Sequence, residues 1–162
     1  MIQRFESSQA LADALAQSIA QSLRAAIAAR GVAHLAVSGG KTPAALFAAL
    51  SLCELAWSQA HIHQVDERLV DSAHADSNSH LQRSTLLQNH AAVAQFSPLV
   101  FMQNKLPVLS IATTELAINS IVNDVVQLGM GDDGHFASLF PGVAAAAAAL
   151  APPLAVVTTA LS

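Results

Sequence analysis

Short apolar runs that do not alternate, each closed by polar or glycine residues and most followed by a helical pattern, recur along this chain and restrict the folds open to it. The first is "HLAVS" (His34 to Ser38), which ends at Gly39 and Gly40 before "TPAALFAAL" resumes helical spacing. The second, "HIHQV" (His61 to Val65), leads into a polar loop and a helix expected to be capped near Ser77 and Asn78. "PLVF" (Pro98 to Phe101), "DVVQL" (Asp124 to Leu128) and "LAVVTT" (Leu154 to Thr159) are read as further strands. Strands of this kind, separated by helical segments, belong to a parallel sheet covered on both faces. The expected fold is α/β: a three-layer α/β/α sandwich with a mainly parallel, Rossmann-like sheet.

The helices carry their own signals. Leu11, Leu15, Ile19, Leu23 and Ile27 recur every four residues from Ser8 to Arg30, and Gly31 is a natural residue just past a helix end. In the second helix Thr42 is the expected N-cap and Pro43 the first helical residue, where a missing N–H costs nothing. The alanine run after Val143 is read as helix on propensity. No internal repeat or composition break divides the chain, so residues 1–162 are expected to form one α/β domain.

A formal net charge of −4 with 11% charged residues provides no basic stripe for nucleic acid and no polybasic run for an anionic membrane. A small-molecule ligand is the better expectation. Cys53 is the only cysteine, no apolar run approaches the roughly 18 to 20 residues of a membrane span, and no leader pattern opens the chain. A cytoplasmic protein is expected.

In open parallel sheets ligands collect beyond the carboxyl ends of the strands. Three segments follow directly on expected strands, so they should meet at one rim: "SGGKTP" (Ser38 to Pro43), "DER" (Asp66 to Arg68) and "GMGDDGH" (Gly129 to His135). The first places glycines between a strand and a helix N-terminus, where free N–H groups and the helix dipole favour an anion. It is either a phosphate cradle or a tight turn, since it matches neither G-x-G-x-x-G nor a Walker A loop. Lys41 either adds a point charge or is a solvated loop lysine. Arg68 can grip a phosphoryl group through two parallel hydrogen bonds, or pair with Asp66 or Glu67.

In the third segment the glycines permit close backbone approach, and histidine is the side chain whose ordinary pKa, about 6.5, suits a general base. His135 is the candidate base, with Asp132 or Asp133 to orient the ring. The bland alternative is a loop histidine capping the next helix. His61, His63, His74 and His80 suggest no metal-ligand spacing, and neither Ser38 nor Ser138 lies in a G-x-S-x-G elbow.

"SGGKTP", "DERLV" leading to "DSN", and "LGMGDDGHFASLFPG", in that order, resemble the motif set of 6-phosphogluconolactonases, which share a fold with glucosamine-6-phosphate deaminases and ribose-5-phosphate isomerases. The similarity runs from the first helix to about Gly142, with a weaker match at the Leu154 strand. The resemblance implies hydrolysis of 6-phospho-D-glucono-1,5-lactone, a small-molecule sugar-phosphate lactone, without metal or organic cofactor. It implies His135 as base, Asp133 as its aspartate and Arg68 as a substrate-binding residue. Ser38, Gly39, Gly40, Lys41, Thr42, Asp66, Gly129 and Gly131 complete the expected substrate-binding set.

Sibling deaminases carry a tyrosine after the D-E pair and an F-N-E-P ending, so Arg68 and "SLFP" favour the lactonase. A sugar-phosphate isomerase or deaminase with Asp66 as proton shuttle, and a non-catalytic sugar-phosphate binder, are the alternatives. Family members usually continue past the Leu154-type strand, and the Phe101 to Asp124 connection is shorter than usual. The chain is therefore expected to lack the C-terminal part of the family fold, with a basic residue of the phosphate site.

Overall fold

The computed structural model describes residues 2–104, 106–109 and 121–142. The expected helix after Val143 and the strand from Leu154 to Thr159 lie outside the described residues. The order is α1 (Ser8–Arg30), β1 (Ala33–Val37), α2 (Ala44–Ser51), β2 (Ala60–Gln64), α3 (Asn78–Thr85), β3 (Gln95–Ser97), β4 (Val100–Gln103), β5 (Leu106–Leu109) and β6 (Val125–Gln127). Strands β3, β2, β1 and β6 form one parallel sheet in that spatial order. The alternation of strand and helix thus produces the expected α/β fold.

"PLVF" departs from expectation. Val100 and Phe101 belong to β4, which pairs antiparallel with β5 in a separate hairpin, while Gln95–Ser97 supplies the parallel edge strand. Val100 is buried but Phe101 and Met102 are exposed, so the apolar run marks a half-exposed hairpin and not a central strand.

Alternation along the strands sends Ala33, Leu35 and Val37 of β1 and Ala60 and Ile62 of β2 to one face. There they form a single core with Ile19 and Leu23 of α1, Phe47 and Leu50 of α2, Trp57 and Leu86. Each such large side chain contributes about 1.5–3 kcal/mol on burial. Trp57 is 2% exposed, and its indole N–H donates to the Cys53 carbonyl at 2.9 Å.

Helix α1 has the expected limits, with Ser7 capping the Ala10 N–H and Gly31 closing the end onto the Ile27 carbonyl. Its buried face takes in only part of the expected row: Ile19 and Leu23 are buried and Ile27 packs against the core, but Leu11 and Leu15 do not. Ala12, Ala16, Ile19, Ala20, Leu23 and Ala26 are buried, whereas Leu11 and Leu15 are 45% and 39% exposed. A row spaced by four residues advances about 40° per step around a helix of 3.6 residues per turn, so it spirals off the core, and small alanines allow close approach instead.

The opposite face of β1 and β2 carries His34, His61 and His63. The His34 Nδ1 lies 3.0 Å from the His63 Nε2, and the His34 ring centroid is 5.0 Å from that of His61. Burial, and then the neighbouring His34 and His61, push the His63 pKa down to about 4. The unfolded chain therefore takes up a proton between pH 6.5 and 4 that the folded chain refuses, and stability falls as pH falls through that window. The expected loss is on the order of 2 kcal/mol after discounting for solvent screening of a half-buried ring. Urea titrations at pH 7 and pH 4.5 check this, and the difference should shrink in H63Q.

Candidate active site

The carboxyl ends of β1, β2 and β6 deliver their loops to one rim. Between the loops lies a cavity of about 210 Å³ lined by Ser38, Gly39, Gly40, Thr42, Pro43, Asp66, Arg68, Asn78, Gly129, Met130, Gly131, His135 and Ala137. Most of the residues singled out in the sequence therefore share one hollow. Lys41 is exposed on the turn and does not line it, and Asp133 is connected to it through His135.

The glycine turn is shaped by a neighbour. A Cβ on Gly39 would lie 1.7 Å from the Asn78 Oδ1, so only glycine fits against that amide. Thr42 does not cap α2 as expected. The boundary lies one residue later, at Pro43 (φ −78°, ψ −3°), and no side chain caps the helix. The Ala44 N–H reaches the Lys41 carbonyl at 3.4 Å, and no side chain competes with an anion for the remaining N–H groups of the first turn. Among the described residues the N–H groups of Gly39, Gly40 and Gly129 donate to no carbonyl, and the buried Ser38 hydroxyl has no partner. These are unspent donors at the cavity wall.

The base loop folds on itself. Gly131 N–H donates to the His135 carbonyl at 2.8 Å and Gly134 N–H to the Gly131 carbonyl at 2.9 Å. A Cβ on Gly131 would lie 2.2 Å from the His135 Cε1, so the missing side chain makes room for the ring. Of the two candidate aspartates, Asp133 meets the imidazole, with Oδ1 2.5 Å from Nδ1 and 3.1 Å from the His135 N–H. The hydrogen bond from the imidazole, then that from the His135 backbone, holds the Asp133 carboxyl below the usual carboxylate range. An ionised carboxylate only accepts, so in the neutral ring Nδ1 carries the proton and Nε2 is the basic nitrogen. The ring stacks on Phe140 at 4.7 Å between centroids.

The β2 loop separates its charges. Glu67 does not pair with Arg68. Its Oε1 accepts from Arg68 N–H and Asn78 N–H, each at 2.7 Å, and its Oε2 accepts from Ser79 N–H at 2.7 Å, Gln64 Nε2 at 3.0 Å and Ser77 Oγ at 3.1 Å. Burial pushes the Glu67 carboxyl up, but the Gln64 amide and the N–H groups of Arg68, Asn78 and Ser79 outweigh it and hold the group below its ordinary value. Among the described residues Arg68 forms no ion pair, and its exposed guanidinium stands at the cavity. The Asp66 Oδ1 accepts from Asn78 Nδ2 at 3.2 Å and its Oδ2 from Ser138 Oγ at 2.8 Å.

Sequence reading missed Glu67, Asn78 and Ser138 as parts of the site. "DSN" gave the cap signal, and Ser77 does accept from the His80 N–H. The same motif also seats Asn78 in the cavity wall, which no spacing rule announces. Among the described residues no group of three or more histidine, cysteine or acidic side chains is arranged to hold a metal ion, and no helix is long and apolar enough to cross a membrane.

The family model described as "Glucosamine-6-phosphate isomerases/6-phosphogluconolactonase" matches residues 6–161. A curated 6-phosphogluconolactonase of Rhizobium meliloti (strain 1021) is 47% identical over 139 residues, which cover 85% of this chain and 60% of that protein. One from Neisseria meningitidis is 41% identical over 145 residues, 84% of this chain and 58% of that protein. The chain thus spans about 60% of the length of these curated relatives. The crystal structure of a 6-phosphogluconolactonase from Shewanella baltica OS155 superposes with a TM-score of 0.83 at 39% identity, covering 95% of this chain and 67% of that one.

Proposed function

Because the chain belongs to the glucosamine-6-phosphate isomerase/6-phosphogluconolactonase family, we propose that it hydrolyses 6-phospho-D-glucono-1,5-lactone to 6-phosphogluconate, the second step of the oxidative pentose phosphate pathway. The observation that carries this reading is the shared cavity, with the Asp133–His135 pair on one loop and the Arg68 guanidinium and glycine turn on two others. A lactone is already an activated ester, so water attacks C1 directly and no covalent intermediate is needed. His135 Nε2 takes the proton from that water as the new C1–O bond forms, with Asp133 holding the ring and stabilising the imidazolium. Collapse of the tetrahedral intermediate then breaks the ring C1–O5 bond, and the imidazolium returns the proton to O5.

The tetrahedral oxyanion needs donors that are free before the reaction. Gly131 N–H is spent on the His135 carbonyl, so Gly129 N–H, on the loop that carries the base, is the better candidate. Arg68, the Ser38 hydroxyl and the Gly39–Gly40 turn that leads into α2 hold the 6-phosphate and fix the ring by binding energy remote from C1. The isomerase or deaminase reading requires Asp66 to shuttle protons, whereas each of its oxygens already accepts one hydrogen bond, from Asn78 and from Ser138, which favours a positioning role.

The test is acid release from freshly generated lactone, measured against spontaneous hydrolysis, with ammonia release from glucosamine 6-phosphate as the competing assay. A lactone rate equal to the uncatalysed one rules the proposal out. In R68A the KM for phosphorylated lactone should rise by about 10- to 100-fold, the loss of a charge-assisted contact. An equal loss on unphosphorylated gluconolactone would assign the effect to folding instead.

A further inference from the structure

The mechanism above leaves one set of contacts unused. Asn78 is 4% exposed, and its amide nitrogen donates both to the Asp66 carbonyl at 3.0 Å and to the Asp66 Oδ1 at 3.2 Å. Its amide oxygen lies where a Cβ on Gly39 would have to be. Its backbone N–H is fixed by the Glu67 Oε1 at 2.7 Å. The other oxygen of Asp66 accepts from Ser138, three residues beyond His135 on the same loop, at 2.8 Å. A continuous line of contacts therefore runs from the glycine turn through Asn78, Asp66 and Ser138 to the loop that carries the base.

We propose that Asn78 is a positioning residue, acting through Asp66 and Ser138 to hold the His135 loop at a set distance from the glycine turn. Its kinetic consequence rests on the hydrolase reading, whereas its mechanical consequence does not. The phosphate is held at one end of the line and the base at the other. Slack in the line misplaces the base relative to C1 while the grip on the phosphate survives. A displacement of about 1 Å at a reacting centre costs on the order of 100-fold in rate.

The experiment compares wild type, S138A, N78D and D66N/N78D by kcat, KM, 6-phosphogluconate affinity and amide hydrogen exchange over residues 129–139. N78D keeps the shape of the side chain but sets a carboxylate against that of Asp66. The D66N/N78D pair exchanges donor for acceptor in the side-chain contact, which re-forms with the charge moved, while the bond to the main-chain carbonyl of residue 66 stays broken. S138A and N78D should each lower kcat about 10- to 100-fold with KM and product affinity within about threefold, and should speed exchange in the loop. D66N/N78D should regain part of what N78D loses, the share carried by the side-chain contact.

Unchanged kcat and exchange in S138A would overturn the proposal, as would a double variant no better than N78D. If the wild-type protein shows no lactone turnover, the hydrolase reading fails instead. Loop exchange in the same variants then decides for or against the positioning role on its own.

Discussion

H135A should lower kcat for lactone hydrolysis by about 10²- to 10⁴-fold, the usual contribution of a positioned general base, while leaving 6-phosphogluconate affinity within a few-fold of wild type. The two effects separate because the ring contributes the proton acceptor and the other loops contribute the phosphate contacts. D133N should follow in the same direction with a smaller loss. The amide can still occupy the site 2.5 Å from Nδ1, but it no longer supplies the negative charge that stabilises the imidazolium. Near-normal kcat in H135A would remove the base assignment outright. The lactone would then be hydrolysed by oriented water and unspent donors alone.

E67Q is expected to be the most damaging conservative change to stability. Five donors converge on the two oxygens of this half-buried carboxylate, three of them backbone N–H groups: those of Asn78 and Ser79 at the start of α3 and that of Arg68 in the β2 loop. The glutamine amide must place an NH₂ where donors already point, so at least one buried donor is left facing another. That costs on the order of 2–4 kcal/mol. The Glu67 carboxyl is held below its ordinary value, so its contribution is present above about pH 4.5 and lost as pH falls through the depressed folded value. Urea denaturation at pH 7 measures the loss, and a variant within about 0.5 kcal/mol of wild type would contradict the account. Because Glu67 also fixes the Asn78 backbone, E67Q should weaken turnover even at temperatures where it remains folded.

The sheet and its rim were legible because their causes are local. Non-alternating apolar runs, glycine punctuation and the rule that ligands sit beyond carboxyl strand ends together brought Ser38, Asp66, Arg68 and His135 to one hollow. What escaped depends on neighbours distant in sequence. Leu11 and Leu15 obey helical spacing yet face outward, because the choice of buried face belongs to α2 and the sheet. "PLVF" resembles a central strand, and only its pairing with β5 shows otherwise. Asp132 and Asp133 are equivalent on paper. The turn from Gly131 to Gly134 decides between them by bending the chain so that Asp133 meets the ring. Glu67 reads as a partner for its neighbour Arg68. The start of α3 claims it instead, and that capture is what leaves the guanidinium at the cavity without an ion pair among the described residues.

The setting of Trp57 has a practical use. It is the chain's single tryptophan, there is no tyrosine, and its indole is sealed into the core beside Cys53 and away from the cavity lining. Intrinsic emission is therefore a one-fluorophore gauge of whether the core is intact, and it should stay flat while sugar phosphate is titrated in. A red shift during a titration would signal core opening, so the same cuvette separates a variant that has lost its catalytic group from one that has come apart.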